Sequence, residues 1–331
     1  MTTAPVIFRR RRRVAWQRSY TSALLVLALF AFYLTRSHGF GSIQALGITN
    51  AALPLALAAA GETFVILTNG IDLSIGSVIT LSNVTCAVIA AHGEAPLAVV
   101  AALAVGLGAG VANGLVVSFA GIAPLIATLA TSSIYLGFAL LVLPNPGGSV
   151  PGWLSKWSAG SVGSVPVAAG WLVVALVAGW LVLNRLPFGI RLQAIGGNEA
   201  ASRSAGIQVR RTRIGAYAAS GLCAALAGIV LAGLTQSGDP TIGDVYLLNG
   251  IAAVVVGGTS LAGGVGTVAG SVLGATALAL VSAVLLVSGL STDYQYIVTG
   301  LIVIGALLAH SLQSRVGLGR RVGRGGRGVE S

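Results

Sequence analysis

A single lysine, Lys156, is all that this chain of 331 residues carries. A phosphate-binding loop ends in Gly-Lys-Ser/Thr, and the only lysine sits in "WLSKW", so the chain cannot hydrolyse ATP by that device. Charge as a whole is scarce too, acidic residues most of all. Charged residues make up 8% of the chain, against roughly one-quarter in ordinary soluble domains. The two cysteines, Cys86 and Cys223, lie in separate apolar runs with no second ligand nearby, and His38, His92 and His310 fall at the ends of such runs. That distribution offers neither a metal site nor a nucleophile with a base and an orienting acid, and an enzyme is not expected. The glycine-rich "GGTSLAGGVGTVAG" fails the dinucleotide fingerprint, because after Gly264 and Gly266 the last glycine comes one residue late and no soluble strand precedes it.

What is abundant is apolar sequence: 55% of residues are hydrophobic, in runs near 20 residues long from one end to the other. A helix of that length crosses a hydrocarbon core of roughly 30 Å. An all-α, polytopic transmembrane bundle follows. The net charge of +11 is gathered at the edges of the apolar runs, in Arg9 to Arg13 with Arg18, Arg185 to Arg213 and Arg315 to Arg327. These blocks read as cytoplasmic anchors under the positive-inside rule, not as a nucleic-acid surface. The N-terminal arginines before an apolar run also fit a signal peptide, yet no small-residue cleavage site follows, and the run is taken as a retained first span.

With the arginine blocks inside, spans at about 20–35, 45–67, 73–91, 96–119, 123–143, 166–184, 213–234, 245–257, 267–290 and 294–311 satisfy all three blocks, with both termini cytoplasmic. Eight or nine spans are the alternatives, since the second, third and eighth are interrupted by glycine. The expected organisation is a basic tail over 1–19, a membrane domain over 20–312 and a basic tail over 313–331. Within the membrane domain, 144–165 is an external loop rich in Pro, Gly and Ser with Trp153 and Trp157, and 185–213 is a cytoplasmic loop. Gly106, Gly110 and Gly114, and Gly266, Gly270 and Gly274, form two ridges with glycine at every fourth residue, which let another backbone approach. The two ridged spans run in opposite directions, a hint of an inverted repeat.

Polar groups inside such runs are costly in lipid and argue for a path or a packed interface. They are Glu62, Thr68, Asn69, Asp72, Ser74, Asn83, Asn113, Thr128 and Thr131. In "GETFVILTNGIDLSIG", Glu62 and Asp72 flank a glycine-punctuated stretch where a helix can break. Asp72 is placed to cap the following span. Glu62, with Asn69 or Asn83, can line a path for hydroxylated cargo; equally, it can bind a backbone group of a neighbouring span.

The stretch "VILTNGIDLSIGS" resembles the signature of the ribose-type permeases of bacterial ABC importers, and three more segments agree in order and spacing: "GIAPLIATLATSSIYLG", "GIRLQAIGGNEAASRSAGI" and "NGIAAVVVGGTSLAGGVGTVAGSVLGA". The similarity runs from the second span onward. It implies a monosaccharide permease of the bacterial plasma membrane working with ABC ATPase subunits, a second permease copy or homologue and an external substrate-binding protein. It also implies that the chain holds no cofactor, ATP and magnesium belonging to the ATPase. Residues Gly197, Asn198, Glu199, Ala200, Ala201, Arg203 and Gly206 resemble the Glu-Ala-Ala…Gly loop that docks a short helix into the ATPase. This chain departs from many members at Asn69, where they have glycine or serine, and at Leu247 and Asn249, where they have acids. A gradient-driven secondary transporter, which works alone, and a permease for nucleosides or autoinducers are the rival readings; a receptor or scaffold fits the polar-studded interior less well.

Overall fold

The computed structural model describes residues 4–37, 39–290 and seven positions between 294 and 305, with side chains from Tyr20 onward. The span expected at 294–311 falls largely outside these residues. So do the third arginine block, His38, Asp293 and His310, and the side chains of the first arginine block.

Helices account for nearly all the regular structure. Helix α1 (Ala4–Arg36) runs from the arginine-rich segment through the first apolar run, and α2 (Ser42–Leu67), α3 (Ile75–Ala91), α4 (Ala95–Phe119) and α5 (Pro124–Val142) follow. The segment after α5 carries a short helix, α6 (Gly152–Ala159), and a two-stranded antiparallel hairpin of β1 (Ser161–Val162) and β2 (Val165–Pro166). Then come α7 (Val167–Arg185), α8 (Pro187–Gly197), α9 (Glu199–Ser204), α10 (Val209–Thr235), α11 (Asp244–Val256) and α12 (Val268–Val287). Proline in the first turn starts α4, α5 and α8, where its missing N–H has no intrahelical partner to lose.

Among the described residues six helices, α2, α4, α5, α7, α10 and α12, are long and apolar enough to cross a membrane. This is a polytopic membrane bundle. Helices α3 and α11 have 17 and 13 residues, about 25 and 20 Å, short of a hydrocarbon core of roughly 30 Å. Helix α3 starts from a non-helical segment enclosed by other helices, which is where irregular backbone survives at membrane depth, whereas the segment before α11 is partly exposed, at Gln236 and Thr241.

Helices α2 and α10 form the enclosed centre, while α5 and α7 expose most of their surface. The centre is built on close backbone approach. A Cβ on Gly106 would meet Ala225 and the Gly221 carbonyl of α10, one on Gly110 the Tyr217 carbonyl, and one on Gly114 would lie 2.7 Å from Ile214 Cα. Gly274 of α12 faces Ala253 and Gly257 at the end of α11, and Gly257 in turn faces Gly270. Gly266 lies ahead of α12 and packs on Thr259 of its own turn. Cys86 is buried and Cys223 half-buried, and both are free thiols.

Candidate functional site

The segment between α2 and α3 leaves the helical path at Asn69, whose φ of 65° is left-handed. Asparagine tolerates that region better than most residues with a side chain. Three consecutive N–H groups beyond it have no helical partner, and each is taken by a side chain. Asp72 N donates to Glu62 Oε1 (3.0 Å), Leu73 N to Thr128 Oγ1 (3.0 Å) and Ser74 N to Asp72 Oδ1 (3.0 Å). A buried N–H without an acceptor costs as much as a lost hydrogen bond, so these three acceptors are what allow the break to exist in a dry bundle.

The network extends to two further helices. Asp72 Oδ1 also accepts from Ser74 Oγ (2.6 Å), and Oδ2 accepts from Ser220 Oγ of α10 (3.0 Å). Asn113 of α4 donates to Ser74 Oγ (2.6 Å), and the Tyr135 hydroxyl of α5 reaches Asn113 Oδ1 (3.0 Å). Glu62, Asp72, Ser74, Asn113 and Thr128 are all buried. The N-cap of α3 is Ser74, and Asp72 acts two residues ahead of it, holding the turn that delivers the chain to the helix.

The other candidates lie elsewhere. Thr68 bonds its own helix at Val65 O (2.8 Å), Asn69 is exposed, and Thr131 bonds Thr128 O (3.2 Å). Asn83, farther along α3, bonds Gly228 O (3.2 Å) and accepts from Asp239 N (2.9 Å). Ser220 and Tyr135 escape a reading of the sequence. Each is one of several polar residues in a mainly apolar helix, and nothing in the helical period marks which partner it meets.

Helix α9 is short and fully closed at both ends. Asn198 Oδ1 accepts from Ala201 N (3.0 Å), which caps the start. At the other end Gly206 N bonds Arg203 O (3.0 Å) and Ile207 N bonds Ser202 O (3.0 Å), with Gly206 at φ 79°. That is the Schellman closure, which requires a left-handed residue at the position of Gly206. Ala200, Ala201 and Arg203 face solvent. Glu199 pairs with Arg203 (2.6 Å) and Arg213 (2.7 Å). The hydrogen bond from Arg203 holds its carboxyl below the ordinary value of 4.5, partial burial opposes this, and Arg213 adds to the lowering.

Helix α9 begins three residues after a glycine junction at Gly196. A Cβ on Gly196 would strike both the Leu67 carbonyl at the end of α2 and Gly264 N. Gly264 N itself donates to Leu67 O (3.2 Å), and a Cβ on Gly263 would lie 3.1 Å from Asn69 N. The short exposed helix is thus in backbone contact, through α8, with the residues where α2 breaks. Among the described residues no group of three or more His, Cys, Asp or Glu is placed to hold a metal ion.

A membrane bundle whose central helix breaks among buried helices, in backbone contact with a capped, solvent-exposed helix, fits a membrane permease. The chain belongs to the family described as "Branched-chain amino acid transport system / permease component", which matches residues 44–307. It is 39% identical over 256 residues to the ribose import permease protein RbsC of Bacillus subtilis, covering 76% of this chain and 80% of that one. It is 36% identical over 315 residues to the ribose import permease protein RbsC of Escherichia coli, covering 93% and 98%. Against the autoinducer 2 import system permease protein LsrC of Yersinia enterocolitica, identity is 36% over 300 residues, 88% and 82% of the two chains. No solved structure matches.

Proposed function

We propose that this chain is the permease subunit of an ATP-driven importer for a monosaccharide, a pentose or hexose such as ribose, in the bacterial plasma membrane. The observation that carries the reading is the contact of Gly196 with Leu67 and Gly264, one helix turn from α9. In this reading an ATPase subunit receives the exposed face of α9, and its closure displaces α8 against the break at Asn69. The cargo follows from the names of the two RbsC relatives. The buried network of Glu62, Asp72 and Ser74 holds the break, and the path runs beside it.

The topology that goes with this has ten spans, both termini cytoplasmic, and two inverted halves beginning at α2 and α10. Three features support it: the arginines around α8 and α9, the tryptophans at the opposite end, and the similar breaks after α2 and α10. Trp157 and Trp171, with ring centroids 4.5 Å apart and planes inclined at 57°, sit at the external surface in this reading. The basic tails at 1–19 and 313–331 flank the membrane domain. The external loop 144–165, with Lys156, and Asp239 face a substrate-binding protein, and a second permease copy or homologue completes the pathway.

The test is purification of the tagged chain from native membranes in mild detergent. An ATPase should accompany it and be lost when residues 198–206 are replaced, and uptake of labelled ribose should require ATP and the binding protein. A chain that arrives alone and transports in liposomes on an ion gradient would overturn the reading, and uptake of an autoinducer with ribose refused would overturn the cargo.

A pH dependence follows at the same helix. A carboxyl with a lowered folded value stabilises α9 above its ordinary value, and this contribution is lost as pH falls through the lowered one. Association with the ATPase should therefore be level from pH 8 to about 5 and weaken only in stronger acid, whereas Glu199→Gln should weaken it several-fold at pH 7. Binding titrations of the detergent-solubilised subunits at both pH values measure this.

A further inference from the structure

The chain carries two versions of one turn. Residues 67–76 read "LTNGIDLSIG" and residues 234–243 read "LTQSGDPTIG", with Leu, Thr, Asp, Ile and Gly coinciding and Ser opposite Thr. The backbone repeats as well. Asn69 at φ 65° and Gln236 at φ 57° occupy the same register, and among the described residues no other non-glycine has positive φ. The hydrogen bonds repeat too: Asp72 Oδ1 accepts from Ser74 N and Oγ at 3.0 and 2.6 Å, and Asp239 Oδ1 accepts from Thr241 N and Oγ1 at 2.8 and 2.8 Å.

The two turns meet at their last glycines. A Cβ on Gly76 would lie 2.7 Å from Gly243 O, and one on Gly243 would strike Gly76 O. From this reciprocal contact the segments diverge toward opposite ends of the bundle. One leads back to the junction of Leu67 with Gly196 and Gly264. The other runs along α3, where Gly243 N donates to Thr80 Oγ1 (3.0 Å) and Asp239 N to Asn83 Oδ1 (2.9 Å), and ends where Gly238 pairs with Gly147 in two backbone bonds of 2.7 and 2.9 Å.

The anchoring of the two differs. Side chains of α2, α5, α10 and α4 converge on the first turn in the dry interior. The second is held at its exposed start by Gln236 Nε2 donating to Ser155 Oγ of α6 (3.3 Å) and along α3 by one bond each from Thr80 and the fully buried Asn83, whose Nδ2 binds Gly228 O in the body of α10 while its Oδ1 binds the turn that follows α10. One amide therefore fastens both α10 and its break to the helix that starts at the first turn. Neutral hydrogen bonds of this kind are modest in net strength, so the fastening can open without unfolding anything.

We infer that Asn83, with Thr80, is the clasp of an outer gate, and that the 236–243 turn must leave α3 in every transport cycle while Asp239 keeps the turn intact. Asn83 and Asp239 are positioning residues for translocation, and neither needs to touch the cargo. The inference rests on the importer reading. A rigid α3 would make the two turns exchange states: motion at the first turn reaches the second through one helix.

The experiment uses the full complex of permease, ATPase and binding protein in proteoliposomes, in a Cys86→Ala, Cys223→Ala background, with the turn tied to α3 by a disulfide between Ala87→Cys and Gly238→Cys, since a Cβ on Gly238 would lie 3.0 Å from the Ala87 Cβ and both clasp residues stay in place. Cross-linking is expected to lower import by about tenfold or more, and reductant to restore it. Separately, Asn83→Ala should let ATP hydrolysis proceed without the binding protein while import falls, and Asn83→Asp, which keeps the acceptor for Asp239 N, should retain more coupling than Asn83→Ala. Import by the cross-linked complex at the rate of the reduced one would overturn the clasp. So would parallel loss of import and hydrolysis, with no difference between the alanine and aspartate variants. A background complex that imports nothing with ATP would instead overturn the importer reading itself.

Discussion

A Gly196→Val chain is expected to reach the membrane, bind its ATPase and import nothing measurable. The side chain would project into the Leu67 carbonyl on one side and Gly264 N on the other. Both obstacles are backbone, so no rotamer change relieves the clash. Overpacking in a well-packed core costs about 1–3 kcal/mol even where side chains can yield, and here the segments themselves must separate. The separation displaces the end of α2, and with it Asn69, from α8, while the exposed surface of α9 is untouched. Docking and transmission are thereby split, and import should fall by about 100-fold or more with co-purification of the ATPase unchanged. Gly206→Ala offers the contrast. Nothing lies within 4 Å of a Cβ there, so the penalty is the strain of φ 79°, about 1–2 kcal/mol, and it falls on the closure of α9 and on docking. Uptake and pull-down measured on both variants decide the matter, and import by Gly196→Val within twofold of the parent would remove the junction from the mechanism.

The spans are legible because lipid imposes one requirement on every residue of a crossing helix. Apolar runs expected at 45–67, 96–119 and 123–143 became α2, α4 and α5 within three residues at each end. Helix α10 starts earlier than its apolar run, at Val209, because Arg210, Arg211 and Arg213 can continue a helix beyond the hydrocarbon. The glycine spacing of α4 announces a close neighbour, but the neighbour, α10, lies about a hundred residues away and has no mark in the local pattern. The candidate site divides the same way. That the chain breaks near Asp72 can be read from its glycines and its carboxylates, whereas Thr128, which accepts from Leu73 N, and Ser220, which donates to Asp72, come from distant helices, and side-chain pairing across elements leaves no trace in helical periodicity. The second break did leave one. "LTQSGDPTIG" repeats the first turn in plain letters, yet as a short polar stretch between two apolar runs it reads as an ordinary loop, and its left-handed Gln236 and its hydrogen bonds reveal the likeness.

Asp72→Leu is expected to abolish import and to lower the amount of folded protein, while Asp72→Asn keeps import within about threefold of the parent. Aspartate here accepts three hydrogen bonds, from Ser74 N, Ser74 Oγ and Ser220 Oγ. Asparagine retains the first two at its carbonyl oxygen and turns its NH2 toward Ser220, whose hydroxyl can rotate from donor to acceptor. Leucine satisfies none. Ser74 Oγ keeps its bond from Asn113, but Ser74 N and Ser220 Oγ lose theirs, and at about 1–3 kcal/mol for each buried polar group left without a partner the loss is a large part of the 5–15 kcal/mol by which a typical protein stays folded. The same logic predicts that Glu62→Gln is mild, since its amide oxygen still accepts from Asp72 N. Import by proteoliposomes, beside thermal stability of each purified variant, measures both effects. Equal and complete loss of import in Asp72→Asn and Asp72→Leu, with both proteins folded, would show that the charge acts in translocation; a mild Asp72→Asn makes the carboxylate a device for holding backbone N–H groups where a helix has been interrupted.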